Sequence, residues 1–220
     1  MNTALVALYG VAGFFLGFQI PYISLKIIKY KRGEKTELSK EFMYSVVSKS
    51  VLCIFTGAVW FMSALMCDNL FIALLVNILI TTGMIIAFID VNIRIIPNEL
   101  VLAVIIFGLI FQLQNYGLKG LIPSAISMVV MMAVFSAVAG FMGFGKVGAG
   151  DVKLAGAIGF ALGYPLIVIA VAVMSVVLLA FIIIGLALKK IYLSTMLPLA
   201  PFMISGFIFS LIFFFLKIQI

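Results

Sequence analysis

The feature that most constrains this chain is a series of long apolar runs separated by short charged or turn-forming segments. Hydrophobic residues make up 66% of its 220 residues and charged residues only 10%, whereas soluble domains are about 45–50% apolar and roughly 25% charged. So few polar side chains cannot cover a water-exposed surface, and disordered chains are poor in apolar residues. The sequence therefore predicts an all-α, polytopic integral membrane protein with a single membrane domain over residues 1–220.

The apolar runs predict about eight transmembrane helices. A full crossing requires about 20 apolar residues, and the run at 151–163 is shorter than that. Because Gly163-Tyr164-Pro165 is a turn signal, we predict separate helices on its two sides, with one merged helix at 151–188 as the alternative. The predicted spans are 4–24, 47–66, 69–90, 99–115, 121–142, 151–163, 165–188 and 198–216.

The basic residues predict the orientation of the chain. No basic residue precedes the run at 4–24, unlike in a cleavable signal peptide, so we interpret this run as a retained helix with its N-terminus outside. Twelve of the fourteen Lys and Arg then fall in or beside loops on one side, and only Lys119 and Lys217 fall on the other. Basic loops favour the cytoplasmic side. The predicted cytoplasmic loops are residues 25–46, 91–98, 143–150 and 189–197.

The rare polar residue types exclude several kinds of chemistry. The chain has no histidine, which excludes imidazole bases and Ser-His triads, and its two cysteines alone would form a poor zinc site. The net charge of +7 would suggest nucleic-acid binding in a soluble protein. Here the cytoplasmic loops explain it, and we expect no nucleic-acid partner. The basic 25–46 loop is predicted to lie at the lipid headgroups or to contact a partner or substrate.

Two of the seven acidic residues, Asp90 and Asp151, are candidates for catalysis. Ionisable groups at membrane depth are costly and usually functional. Two predicted crossings separate Asp90 from Asp151 and return the chain to the same side, where packing of helices 69–90 and 151–163 would bring the carboxylates together. The other acids have structural explanations in the basic loop, in an outer turn or in the first turn of a helix; they are Glu34, Glu37, Glu41, Asp68 and Glu99.

Glycines are concentrated around Asp151. Gly148 and Gly150 precede it closely and would allow a substrate backbone to come near, because they lack side chains. Gly156, Gly159 and Gly163 form a small face on the following helix, which favours close helix packing in lipid.

A pair of close aspartates indicates a definite mechanism. Two such carboxylates share a proton, because both cannot easily be ionised together. The ionised one takes a proton from a water that attacks a peptide carbonyl, and the protonated one donates to the carbonyl oxygen. Because Asp151 begins a helix, whose N–H groups favour the charged form, we predict that Asp151 is ionised and Asp90 protonated. No histidine, cysteine or metal is required.

The segments that contain the two aspartates resemble the type IV prepilin peptidases, which are intramembrane aspartic proteases of the GxGD type. FIDVNIRIIPNELV is similar to the first family signature, an aspartate followed further along by Pro and then Asp or Asn. GFGKVGAGDVKLAGAIGFALG is similar to the second, GxGD followed by Lys-Leu and a glycine-rich helix. GVAGFFLGFQIPYISLK resembles the opening helix of the family, and LPLAPFMISGFI resembles its Pro-x-x-Pro-Phe segment.

The resemblance implies that Asp90 and Asp151 cleave the leader from prepilins or pseudopilins at the cytoplasmic face of a bacterial inner membrane. Many such enzymes also N-methylate the new N-terminus with S-adenosylmethionine. Their cytoplasmic loop usually carries two CxxC pairs, but residues 25–46 contain no cysteine. No zinc is therefore expected. The chain is predicted to be a peptidase, either with or without the methylation activity. The residues predicted to bind substrate or shape the loops are Pro97, Asn98, Gly148, Gly150 and Lys153.

Two functions of other classes are the alternatives. A proton-coupled transporter would use the aspartates as a proton relay, and a non-catalytic scaffold for pilus assembly would need neither of them.

Overall fold

The computed structural model describes residues 3–32, 46–142, 148–189 and 197–218. Every regular element in these ranges is an α-helix, as the sequence predicted. The helices in chain order are α1 (Thr3–Arg32), α2 (Val46–Met66), α3 (Leu70–Ile93), α4 (Asn98–Met142), α5 (Ala149–Leu162), α6 (Leu166–Ala187) and α7 (Ala200–Ile218).

Five helices in this part of the chain are long and apolar enough to cross a membrane. The protein is therefore a multi-pass membrane protein. Helix α5 has 14 residues, and at about 1.5 Å per residue it is shorter than the ~30 Å hydrocarbon core. The count of eight crossings and the outside N-terminus stay predictions. The five helices that meet the length criterion lie within Thr3–Lys31, Ser48–Met66, Leu70–Ile93, Asn98–Gly140 and Leu166–Ala187.

Helix α1 is longer than the predicted span 4–24. It continues through Arg32, so the first part of the predicted 25–46 loop is helical. The exposed Lys26 and Lys29 lie on this extension, where long basic side chains can reach the headgroup region while their stems pack on the helix. Residues 33–45 of the same loop lie outside the described ranges.

Two glycines in left-handed conformations divide the second half of the chain. Gly163 has φ 63° and ends α5, so the alternative of one merged helix at 151–188 was wrong. Gly117 has φ 62° inside α4. A Cβ on Gly120 would lie 3.3 Å from Oε1 of Gln112, whereas eight residues of straight helix span about 12 Å. Helix α4 therefore folds back at Gly117 into a first arm (residues 98–116) and a second arm (residues 118–142).

Helix α3 lies at the centre of the bundle and packs against α1, α2, α4 and α7. Polar side chains join it to α2: Asn77 Nδ2 donates to Ser63 Oγ at 2.6 Å, and Trp60 Nε1 donates to Thr81 Oγ1 at 3.2 Å. In lipid, such interhelical hydrogen bonds contribute about 0.6 kcal/mol on average. They hold the helix whose last turn carries Asp90.

The glycine face of α5 packs against α4, and not against α3 as predicted. A Cβ on Gly159 would lie 2.7 Å from the carbonyl oxygen of Ser127 in the second arm, and a Cβ on Gly108 of the first arm would lie 2.7 Å from Cα of Ala161. The glycines thus allow the close approach that was expected, but with another helix. Helices α3 and α5 make little or no direct contact, and α7 packs against both.

Candidate active site

Asp90 lies in the last turn of α3 and is only 4% exposed. Its side-chain Oδ2 accepts a hydrogen bond from the backbone N–H of Ala200 at 3.1 Å. Ala200 is the first residue of α7, where N–H groups have no partner within the helix and the positive end of the helix dipole favours an anion. The Asp90 carboxylate is thus held at the N-terminus of a helix that follows it by 110 residues.

The local sequence explains why Ala200 has an N–H group to donate. The carbonyl of Leu199 accepts hydrogen bonds from the N–H groups of Phe202 and Met203, so the helix begins directly after Leu199. Pro201 fits the first turn, because a missing N–H costs nothing there and the fixed φ suits a helix. The Pro-x-x-Pro-Phe segment was noted in the sequence without a role. Its prolines signal a helix start, and hence unpaired N–H groups.

Asp151 lies half-buried in the first turn of α5. Its Oδ2 accepts a hydrogen bond from the N–H of Gly148 at 2.9 Å. This is half of a capping box: the acidic side chain three residues into the helix bonds the N-cap N–H, and Gly148 has no side chain to bond in return. Burial raises the pKa of Asp151, and the bond from Gly148 lowers it in part. Burial therefore opposes the helix-start effect used to predict an ionised Asp151, and the location of the shared proton stays a prediction.

The structure places the two aspartates at the same end of the bundle. Ile96, six residues after Asp90, lies beside Gly150, which directly precedes Asp151. Helix α7 packs against both carrier helices, α3 and α5, and so connects them. The two acids thus lie at one end of the bundle, with a third helix packed against both carrier helices, and the pairing of their carboxylates stays a prediction.

The loop after Asp90 packs directly on the loop before Asp151. A Cβ on Gly150 would lie 3.2 Å from Cβ of Ile96, so a side chain there would push the two segments apart. The Nζ of Lys153 donates to Oδ1 of Asn98 at 3.2 Å. Pro97, which stands between Ile96 and Asn98 in the sequence, is buried. Its carbonyl accepts hydrogen bonds from the N–H groups of the first turn of α4.

The five secondary residues predicted from the sequence lie in the segment that follows Asp90 or in the one that contains Asp151. The N–H of Gly148 donates to Asp151, Gly150 packs closely on Ile96, and Oδ1 of Asn98 accepts from Lys153. Residues 143–147 of the same predicted loop lie outside the described ranges. These contacts support a loop-shaping role, and a role in substrate binding stays a prediction.

An ion pair that the sequence did not predict lies beside this site. Nζ of Lys31, near the end of α1, donates to Oε1 of Glu99 at 2.6 Å. Glu99 lies in the first turn of α4, as predicted from its position after Pro97. The pair places the end of α1 next to the loop that follows Asp90.

Within the ranges that the structure describes, no three His, Cys, Asp or Glu side chains come together as a metal site would require. Cys53 lies in α2 and Cys67 directly follows that helix, and both are buried free thiols. The prediction that no zinc is bound remains a prediction.

A helical bundle that spans a membrane and holds two acidic side chains at one end defines a multi-pass membrane protein with a paired-carboxylate site. Residues 77–188 match the type IV leader peptidase family, half of the chain and both aspartates included. The chain belongs to this family, which confirms the resemblance found in the sequence. No curated protein matches the chain, and no solved structure does.

Membership implies a protease that acts on prepilin-like proteins, and it favours the peptidase over the transporter. The match includes both aspartates and all five secondary residues, but it ends before Ala200. The backbone group that holds Asp90 therefore comes from outside the matched segment.

Proposed function

We propose that this protein is an aspartic endopeptidase that removes the leader peptide from type IV prepilins or pseudopilins. The observation that carries the proposal is the packing of the loop after Asp90 on the loop before Asp151, which puts both acids at one end of the bundle. In each carboxylate, one oxygen accepts a backbone N–H, from Ala200 or from Gly148. Among the residues described, the second oxygen of each has no such donor, so it is available to a water or a substrate.

The two carboxylates would divide the work of peptide hydrolysis. The ionised one takes a proton from a water molecule, and the oxygen of that water attacks the scissile carbonyl carbon. The protonated one donates its proton to the carbonyl oxygen as the tetrahedral intermediate forms. When the intermediate breaks, the carbon–nitrogen bond is cleaved and the amine leaves with a proton from the pair. The hydrogen bonds from Ala200 and Gly148 fix both carboxylates, so that little reorganisation is needed.

We place the reaction at the cytoplasmic face of a bacterial inner membrane. Lys31, Arg94 and Lys153 lie at the same end of the bundle as the aspartates, next to the ion pair and the loop contacts described above. Basic residues favour the cytoplasmic side. No metal is needed for this hydrolysis, and S-adenosylmethionine is the methyl donor if the new N-terminus is also methylated.

Cleavage of a candidate prepilin by the detergent-purified protein tests the proposal, with S-adenosylmethionine present and the products weighed by mass spectrometry. Asp90→Asn and Asp151→Asn should each abolish cleavage while the protein stays folded in the membrane. Asp68→Asn is the matched control, because Asp68 is an exposed aspartate in the α2–α3 turn and should cleave normally. Full cleavage by either site variant would contradict the two-carboxylate mechanism. Methylation is read separately from the product mass.

A further inference from the structure

A cavity of about 220 Å³ lies at the opposite end of α5 from Asp151. The end of α5 at Gly163 is roughly 18 Å from Asp151 along the helix axis, at about 1.5 Å per residue. The cavity lies where α4 folds back, and residues from both arms of α4 and from the end of α5 line it. It is therefore separate from the proposed active site.

Two glycines keep this cavity open. Gly117 lets α4 fold back, because its φ of 62° is rarely adopted by other residues. Gly163 lines the cavity itself. A Cβ there would lie 2.9 Å from Ser124 Oγ and 3.1 Å from Gln112 Nε2, so a side chain would fill the space in front of these polar groups.

The polar groups of the cavity include an unpaired buried hydroxyl. Ser124 is fully buried, and its Oγ has no hydrogen-bond partner among the described residues. Gln112 is 2% exposed and donates from Nε2 to the carbonyl of Ala161 at 2.9 Å. Buried polar groups are nearly always paired, and an unpaired one within a membrane is costly. The Ser124 hydroxyl therefore points to a ligand as its missing partner.

The charge of the cavity selects an anion. Lys119 lines it and is exposed, and no carboxylate in the described part of the chain pairs with it. The lining holds no acidic residue, and the hydroxyl of Tyr116 adds another donor. Lys119 is also one of only two basic residues that the predicted topology places on this side of the membrane.

The surroundings of the cavity select a lipid as the source of the anion. Leu118 and Ile122 flank Lys119 and are 77% and 68% exposed. Apolar side chains so exposed at the end of a membrane helix contact acyl chains, and the phosphate groups of lipids lie at the same depth as the helix ends.

We propose that this cavity binds the phosphate group of an anionic phospholipid. The ammonium of Lys119 pairs with the phosphate, the hydroxyls of Ser124 and Tyr116 donate hydrogen bonds to its oxygens, and Leu118 and Ile122 contact the acyl chains. Charge-assisted hydrogen bonds to phosphate are stronger than those between neutral groups. The proposal does not depend on proteolysis, because its site and its readout are separate from Asp90 and Asp151.

Native mass spectrometry of the purified full chain tests this site, after equal amounts of phosphatidylglycerol and phosphatidylcholine with the same acyl chains are added. The wild-type protein should retain phosphatidylglycerol preferentially, because both lipids carry a phosphate but the choline ammonium of phosphatidylcholine is repelled by Lys119. Lys119→Gln should reduce that preference about tenfold, as expected for loss of a charged hydrogen bond. Lys119→Arg keeps the positive charge at this position and should leave the preference unchanged. An unchanged preference in Lys119→Gln, or an equal loss in both variants, would overturn the proposal.

Two further measurements identify the ligand and the buried donor. Inorganic phosphate at the same concentration should not displace phosphatidylglycerol; full displacement would show that the cavity takes a free anion, and would overturn the lipid assignment. Ser124→Ala should lower the retention of phosphatidylglycerol several-fold, because the phosphate loses a donor. If the hydroxyl has no ligand, Ser124→Ala should instead raise the melting temperature and bind the lipid as the wild type does, which would contradict its proposed role. Circular dichroism of each variant checks that it is folded.

Discussion

Asp90 and Asp151 carry the same chemical group but are held in different ways. Asp90 is almost fully buried, and its carboxylate is held by a backbone N–H from a helix 110 residues later in the chain. Asp151 is half-buried, and its carboxylate is held by an N–H three residues earlier, at the start of its own helix. One acid therefore depends on tertiary packing and the other on local structure.

This difference indicates how each half of the site can fail. A change that shifts α7 acts on Asp90 at a distance, because α7 packs against α3 and supplies the Ala200 N–H group. Only changes at the start of α5 remove the corresponding support of Asp151. The two acids can therefore be perturbed separately without altering either carboxylate.

Among variants that keep both carboxylates, the largest effect should come from Ala200→Pro, which removes the N–H group that donates to Asp90. We expect kcat/KM for leader cleavage to fall about ten- to hundredfold, since a hydrogen bond to a charged group contributes about 1.5–3 kcal/mol. Proline is tolerated in the first turn of a helix, so α7 should still form. Cleavage kinetics of the purified variant measure the loss.

Ala200→Val is the matched control for that variant, because Ala200 is fully buried and both substitutions add bulk there. Valine keeps the N–H group and should therefore lose much less activity than proline. An equal loss in the two variants would show that packing around Ala200, and not its hydrogen bond, supports Asp90.

The second prediction changes the support of Asp151 through Gly148→Pro. The backbone of Gly148, with φ −76° and ψ 151°, is compatible with proline, and the variant replaces the N–H donor with the ring Cδ, which cannot bond the Asp151 carboxylate. Since the bond from Gly148 lowers the pKa of Asp151, its loss should raise that pKa further. As the solution is acidified, Asp151 then takes up a proton at a higher pH than in the wild type. The acid limb of the cleavage profile should therefore move to higher pH.

Gly148→Ala tests whether the lost donor causes that shift. Alanine keeps the N–H, and its Cβ would lie at an ordinary 3.4 Å from Oδ2 of Asp151. The acid limb should therefore match that of the wild type. If the proline variant also keeps the wild-type limb, the hydrogen bond from Gly148 does not control the proton on which the rate depends.

The local support of Asp151 was predictable from the sequence, but the support of Asp90 by a distant helix was not. Asp90 and Asp151 stood out because a chain with seven acidic residues offers few alternatives. The position of Asp151 at a helix start followed from the glycines before it. The donor to Asp90 is a backbone group of an alanine, which has no side-chain signature, and only the prolines around Ala200 indicated unpaired N–H groups there.

The same division holds for the fold. The breaks at Gly117 and Gly163 fell where turn residues or gaps between apolar runs predicted them. The partner of the glycine face on α5 was predicted incorrectly, because a membrane helix is apolar on every side and periodicity then does not indicate which neighbour it meets. The extension of α1 to Arg32 was missed because basic residues were interpreted as the end of the helix.

The smallest effect concerns the hydrogen bond from Lys153 to Asn98, which joins the helix of Asp151 to the segment that follows Asp90. Both side chains are exposed, and exposed charged contacts contribute little. A double-mutant cycle with Lys153→Met and Asn98→Ala should therefore give a coupling of about fivefold or less in kcat/KM. The two single variants should lose similar amounts of activity, and the double variant should lose little more than either.

If Lys153 instead binds the substrate directly, Lys153→Met should lose far more activity than Asn98→Ala, and the two losses should multiply in the double variant. Comparing the four proteins on one prepilin therefore decides whether Lys153 joins the loops of the two aspartates or contacts the peptide that they cut.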